Sequence, residues 1–285
     1  MSAQAVAEGQ IDTGAIEQKV SGSSFYAGMR VLPKAERAAM YAIYGFCRAV
    51  DDIVDEPVGD LPSRTAALDA WRRDVDSLYA GGPPGRMGFL AADIARFSLA
   101  REDFQAVIDG MQMDLDRDIR APDLATLDLY CDRVASAVGR LSVKVFGMEA
   151  APGIELAHHL GRALQITNIL RDLDEDAGIG RLYLAREFLV EAGIAGDDPA
   201  TVIADPKVDL ACRAAARLAH QHYGKADAVL ARRPKGRLAA PRLMSAVYAA
   251  ILARMEVVGW APPRHRVKLS KPAMLWILLT RGLMG

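Results

Sequence analysis

The sequence predicts an all-α fold, and three observations predict it. Helix-forming Ala, Leu, Arg, Glu and Met are abundant from end to end, and no stretch shows the sustained period-2 alternation of Val, Ile and Thr that marks a strand. Gly and Pro fall in clusters, which leaves helical stretches of roughly 10 to 30 residues between them. Two acidic stretches, Tyr41 to Glu56 and Gln165 to Asp176, repeat their polar residues at steps of three and four, the spacing of one helix face.

In chain order, residues 1–20 read as a flexible N-terminal arm and 21–285 as a single all-α domain. Interruptions are expected at Pro57–Pro62, Gly81–Gly88, Ala121–Asp123, Ala151–Gly153, Gly178–Gly180, Gly193–Pro199, Arg233–Gly236 and Trp260–Pro263. None is long or polar enough to serve as an interdomain linker.

Of the 285 residues, 51% are hydrophobic and 25% charged, a composition able to bury a core and unlike that of a disordered chain. The net charge, 35 − 36 = −1, supplies no electrostatic pull toward nucleic acid. Cys47, Cys131 and Cys212 are odd in number and lack metal-ligand spacing, so a reducing, cytoplasmic setting is expected. The first 20 residues lack the basic start and apolar stretch of a signal peptide. The apolar run Ala273–Thr280 is far short of the roughly 20 residues that span a bilayer. Arg264, Arg266, Lys268 and Lys271 precede it. A basic patch beside an apolar helix can dock peripherally on the inner membrane, and serves equally to cap a bundle or line a dimer contact.

The first acidic stretch, YAIYGFCRAVDDIVDE, sets Tyr41, Tyr44, Arg48, Asp51 and Asp55 on one face, with Asp52 beside them. Like charges four residues apart repel, so the arrangement calls for a cation that Arg48 supplies only in part. The second, QITNILRDLDED, sets Gln165, Asn168, Asp172 and Asp176 in one stripe with Arg171 on its flank. Gly161 extends that stripe back one turn and is expected to leave room for a ligand. Ile166, Ile169, Leu170 and Leu173 form the opposite, packing face. Hard oxygen donors of this kind suit Mg²⁺, which keeps several waters and binds through few carboxylates plus substrate phosphates. Two such helices facing each other would grip a diphosphate, with Arg48 and Arg171 adding charge-assisted hydrogen bonds. With no Walker or kinase glycine loop, the diphosphate reads as a leaving group rather than part of a nucleotide. No Glu-x-x-His pair on these helices supports a di-iron centre.

These two stretches, within SSFYAGMRVLPKAERAAMYAIYGFCRAVDDIVD (Ser23 to Asp55) and QITNILRDLDEDAGIGRLYL (Gln165 to Leu184), resemble the two signatures of the head-to-head prenyl synthases, and the resemblance covers about residues 20–270. The run LDEDAGIGRLYL and the tail GWAPPRHRVKLSKPAMLWILL most resemble the bacterial branch that makes presqualene diphosphate for squalene and hopanoids. The resemblance implies an isoprenoid-synthase bundle with a central apolar cavity, Mg²⁺ as cofactor, and two farnesyl diphosphates as substrates. It leaves room for contact with downstream squalene-pathway enzymes. It implies metal binding by Asp51, Asp52, Asp55, Asn168, Asp172 and Asp176. Prenyl diphosphates would meet Ser21, Ser23, Ser24, Tyr44, Arg48, Gln165, Arg171, Tyr248 and Arg266, and Tyr130 and Tyr183 would stand near the reacting carbons. Phe25, Val134, Ala137, Val138 and Leu141 are candidate wall residues. Ala185 departs from the family, in which proline is frequent there, and a local change of loop is expected. The alternatives are phytoene, dehydrosqualene or complete squalene synthesis and, more remotely, a non-catalytic helical binding protein.

Overall fold

Aspartate caps open helices at three of the interruptions that the sequence marks. Asp60 accepts a hydrogen bond from the Ser63 N–H, Asp123 from Thr126 and Asp198 from Thr201, each satisfying a first-turn donor. The computed structural model describes residues 28–55, 59–116 and 119–282. The arm, Ser21, Ser23, Ser24 and Phe25 lie outside that set.

Helix α1 (Lys34–Asp55) carries the first acidic stripe. It is followed by α2 (Leu61–Tyr79), a 3₁₀ turn (Gly85–Leu90), α3 (Ala91–Phe97) and α4 (Arg101–Asp116). Next come α5 (Leu124–Cys131), a π-helical turn (Asp132–Ser136) and α6 (Ala137–Val145), which run on as one bent rod. Helix α7 (Ala150–Arg171) carries the second stripe and α8 (Leu173–Gly178) continues it. Then follow α9 (Arg186–Glu191), α10 (Pro199–Ala204), α11 (Val208–Ala231), α12 (Ala239–Val258) and α13 (Lys271–Gly282). Among the described residues there is no strand, and one isolated bridge joins Arg120 to Leu182. The expected all-α class is the observed one.

Three local features differ from the sequence reading. Ala151–Gly153 is not an interruption: Pro152 sits in the first turn of α7, where its missing N–H has no intrahelical partner to lose. The chain breaks one turn earlier, at 146–149. The second stripe is not on one unbroken helix, because Asp172 leaves helical geometry (φ −103°, ψ 18°) between α7 and α8. Ala185 does not reshape its loop. It caps α9 at φ −64°, a setting proline also adopts, and is fully buried.

Helix α7 is central, buried on several faces and packed against α6, α11 and α12. Its glycine permits a tight crossing. An ideal Cβ on Gly161 would lie 2.7 Å from Cα, N and Oγ of Ser136, so Gly161 brings helix and π-turn together. Arg162, one residue on, is buried and donates to Asp128 (2.6 and 2.9 Å), Asp132 (3.1 Å) and Ser136 Oγ (3.0 Å), locking α7 to the α5 rod. The far end is fixed by Trp260, whose indole N–H donates to the Leu170 carbonyl at 3.0 Å.

Candidate active site

Four helices and the bent rod enclose a cavity of about 400 Å³. Its lining follows helical periodicity: Met40, Ile43, Tyr44, Cys47, Arg48 and Asp51 on α1, and Leu156, Leu160, Gly161, Leu164, Gln165, Asn168 and Arg171 on α7. Along both helices the character changes from apolar to polar. At 1.5 Å per residue, Met40 to Asp51 spans roughly 16 Å, so the cavity is an apolar chamber with a charged mouth. Val107 and Met111 (α4), Val134, Val138 and Phe146 (the rod) and Pro241 and Met244 (α12) complete the apolar wall. Of the wall candidates, Val134 and Val138 line it. Ala137 and Leu141 face the other way, into the core packed around α1 and α2.

The mouth gathers Tyr44, Arg48, Asp51, Tyr130, Gln165, Asn168, Arg171 and Tyr248 from four separate helices. Asp52, Asp55, Asp172, Asp176, Tyr183 and Arg266 stand around it rather than in the cavity wall. Each carboxylate row is held by arginines. Arg48 pairs with Asp51 and, at 2.6 Å, with Asp52. Arg181 reaches from the loop after α8 to Asp55 at 2.9 Å, bridging the two rows. Asp172 takes Arg171 at 2.6 Å and Arg266 at 2.8 Å. Arg171 also hydrogen-bonds to the Tyr248 hydroxyl. Arg264 explains how Arg266 arrives there: it is anchored on Asp174 (2.7 Å) and on the Trp260 carbonyl (2.9 Å). Two of the four cations of the basic tail are therefore paired with carboxylates of the second acidic stretch.

Burial, together with neighbouring Asp55, pushes the Asp51 carboxyl up to about 7 against the opposing pull of Arg48. Asp176 rises to about 7 from burial and the adjacent Asp172. Sequence reasoning missed Asp114 on α4. Its carboxylate accepts the Tyr183 hydroxyl at 2.9 Å and the Tyr130 hydroxyl at 3.2 Å, and burial raises it to about 6. The two tyrosine rings stack with centroids 4.9 Å apart. Tyr130 faces the chamber, and Tyr183 lies behind it. Cys47, although in the wall, is pushed up to about 12 by burial and stays a thiol.

The family model described as squalene/phytoene synthase matches residues 18–273. The chain belongs to that family. Within it, the chain is 58% identical over 276 residues (97% of this chain, 94% of the relative) to a presqualene diphosphate synthase of Zymomonas mobilis. It is 55% identical to another of that name from Rhodopseudomonas palustris, covering 90% and 92% of the two chains. A dehydrosqualene synthase crystal structure superposes with a TM-score of 0.82 at 24% identity, covering 97% of each chain, a likeness of fold.

In this member of the squalene/phytoene synthase family, no three His, Cys, Asp or Glu side chains among the described residues converge into a ready metal cage. The donor chemistry nonetheless fits Mg²⁺. Asn168 Oδ1 is buried at the mouth without a hydrogen-bond partner, and Asp51 and Asp176 are carboxyls whose ionisation needs a nearby cation. An ion that retains waters and shares phosphate oxygens does not require a preformed protein cage.

Proposed function

We propose that this chain is a prenyltransferase that condenses two farnesyl diphosphates head to head into presqualene diphosphate, releasing diphosphate, on a route to squalene and hopanoids. One observation carries the reading: an apolar chamber whose walls run up into two facing rows of oxygen donors and arginines. The high identity to presqualene diphosphate synthases supports it. The reaction would belong to a single all-α domain, 21–285, preceded by the arm 1–20.

Asp51, Asp55, Asn168, Asp172 and Asp176, with Asp52 in support, would hold Mg²⁺. When bound, Mg²⁺ would neutralise charge developing on the departing diphosphate. Arg48, Arg171 and Arg266 would donate to diphosphate oxygens, each letting go of a carboxylate to do so, while Gln165, Tyr44 and Tyr248 would orient them. Ser21, Ser23 and Ser24 are assigned to the same diphosphates. Loss of diphosphate leaves an allylic cation, which water would trap. Met40, Ile43, Met111, Val138, Leu160 and Leu164 would exclude that water. The face of Tyr130 would stabilise the cation. Attack by the 2,3-double bond of the second farnesyl chain, with loss of a proton, closes the cyclopropane.

The test is product analysis with Mg²⁺ and farnesyl or geranylgeranyl diphosphate, with and without NADPH. Presqualene diphosphate as the sole product from farnesyl diphosphate supports the reading. A forty-carbon product, reduction to squalene, or no turnover overturns it. We also propose that α13 rests on anionic membrane, where the oily product would leave. Trp276 stands 69% exposed on it, and Lys268 is exposed just before it. No helix among the described residues is long and apolar enough to cross a membrane.

A further inference from the structure

The chain after α12 crosses the second acidic stretch as a strap, and contacts to four helices hold it. Buried Trp260 donates its backbone N–H to Asp209 of α11 at 2.7 Å and its indole N–H to the Leu170 carbonyl of α7 at 3.0 Å. Arg264, with a side chain only 8% exposed, donates to Asp174 of α8 at 2.7 Å. It also donates to the Ile203 carbonyl of α10 and to the Trp260 carbonyl, each at 2.9 Å. Arg266, two residues on, is 43% exposed and pairs with Asp172 at 2.8 Å and Glu175 at 3.6 Å. The strap thus has a buried anchor and an exposed tip. The acidic stretch is divided to match. Asp174 and Asp176 are two apart on α8 and do not share a face. Asp176 stands with Asp172, Asp114 and Asp55, whereas Asp174 turns to the strap.

We infer that Arg264 and Asp174 are positioning residues for diphosphate recognition: they fix the strap so that Arg266 alone swings from Asp172 to the ligand. This rests on the function proposed above, in which Arg266 donates to diphosphate. A long exposed side chain loses rotamer freedom when it binds, and a backbone free to move with it adds to that cost. An anchor two residues away removes the second part. Arginine suits the anchor because its planar fork serves a carboxylate and two carbonyls at once, which a point charge on a flexible stem does not. Neither Arg264 nor Asp174 lines the chamber, so their effect on a ligand passes through Arg266. Asp174 is thereby set apart from the other carboxylates of its stretch: its work is to hold a buried arginine, not a metal ion.

The experiment measures the dissociation constant of inorganic diphosphate, with Mg²⁺ present, by calorimetry on the full chain, alongside the thermal midpoint. Arg266→Gln is expected to weaken binding about tenfold, the range for loss of one hydrogen bond to a charged group. Arg264→Gln should weaken it about fivefold by loosening the backbone that presents Arg266. In an Arg266→Gln background the same substitution should change it by less than about twofold, because residues acting through one contact are not additive. Asp174→Asn should reproduce the Arg264→Gln loss, and the two together should be no worse than either. Arg264→Lys, which keeps a charge for Asp174, should recover part of the affinity. A general loosening of the fold would instead weaken binding alike with and without Arg266. If Arg264→Gln does not fold, Asp174→Asn, at a side chain 48% exposed, perturbs the same pair. Affinity unchanged by Arg264→Gln, or a loss undiminished by Arg266→Gln, overturns the inference. So does an unmutated protein that does not bind diphosphate. Failure to form presqualene diphosphate from farnesyl diphosphate, with this coupling intact, refutes the condensation and leaves the anchor standing.

Discussion

Gly161→Ala tests whether a single helix crossing sets both stability and the mouth geometry. The added Cβ would lie 2.7 Å from two backbone atoms of Ser136, N and Cα, which cannot swing away as the tip of a side chain can. Ordinary contact begins at 3.4 Å, so α7 and the π-turn must separate by 3.4 − 2.7 = 0.7 Å. Overpacking of a tight site costs up to about 3 kcal/mol. The glycine-to-alanine change in helix propensity returns about 1 kcal/mol. The net loss is about 2 kcal/mol, or a fall in thermal midpoint of roughly 4–8 °C for a chain of this size. Gln165, Asn168 and Arg171 ride on α7 beyond the crossing, so kcat/KM for farnesyl diphosphate should fall by tenfold or more. Gly224→Ala is the control. It is helical and exposed, with nothing within 4 Å of its Cβ, and should be neutral or stabilising with activity intact. Calorimetry and steady-state kinetics on both variants decide. A Gly161→Ala protein as stable and active as Gly224→Ala would refute the reasoning.

Asp51 and Asp176 have raised folded-state values near 7, and Asp114 near 6, so folding takes up protons at these groups. Their contribution is fully present below the ordinary carboxylate range and is lost as pH rises toward 7. The thermal midpoint of the metal-free protein should therefore decline between about pH 5 and pH 8, and a steady rise over that window would count against the assignment. Asp51→Asn removes one of these carboxyls. It should raise that midpoint at about pH 8 while lowering kcat by a hundredfold or more, with helical circular dichroism unchanged; retained activity would exclude Asp51 from the diphosphate site. Mg²⁺ together with inorganic diphosphate should raise the midpoint far more than Mg²⁺ alone, and equal shifts would argue for a preformed metal cage. Trp276→Ser should weaken co-sedimentation with vesicles containing anionic lipid without changing kcat on soluble substrate, and undiminished sedimentation would remove α13 from the membrane contact.

Much of the mouth was legible because helical spacing is a local property. Tyr44, Arg48 and Asp51 share a face of α1 wherever that helix packs, and so do Gln165, Asn168 and Arg171 on α7. Tyr130 and Tyr248 were reached only through family resemblance, since a lone tyrosine on an apolar helix carries no periodic signal. Asp114 was missed for a related reason. In MQMDLDRD it looks like one of several acidic residues near a helix end, and only the fold turns it onto two tyrosines from other segments. Gly161 lines the cavity as its place in the stripe suggests, but a sequence shows the missing side chain and not its neighbour Ser136 across the crossing. His220 and His222, two apart on one helix, point to different partners: His222 meets His159 of α7 at 3.1 Å, and His220 turns to Glu256. The interruption at Asp172 left no clear trace, since Arg-Asp-Leu-Asp is acceptable helix sequence.

The arginines around the mouth give the two acidic rows a physical consistency that the carboxylates alone lack. A row of buried, unpaired carboxylates would be costly to fold and would repel a diphosphate. Here Arg48, Arg171, Arg181 and Arg266 supply the opposing charge from within the chain. A guanidinium that is bidentate on a carboxylate has the geometry to be bidentate on a phosphate. On the function proposed above, exchanging one partner for the other would keep the arginine in a charge-assisted pair and would leave the carboxylate open to the cation that a metal-loaded diphosphate brings. Arg181 is the informative member of the set. It joins Asp55 of the first row to the loop that carries Tyr183, so it ties the acidic edge of the mouth to the tyrosines that Asp114 accepts from.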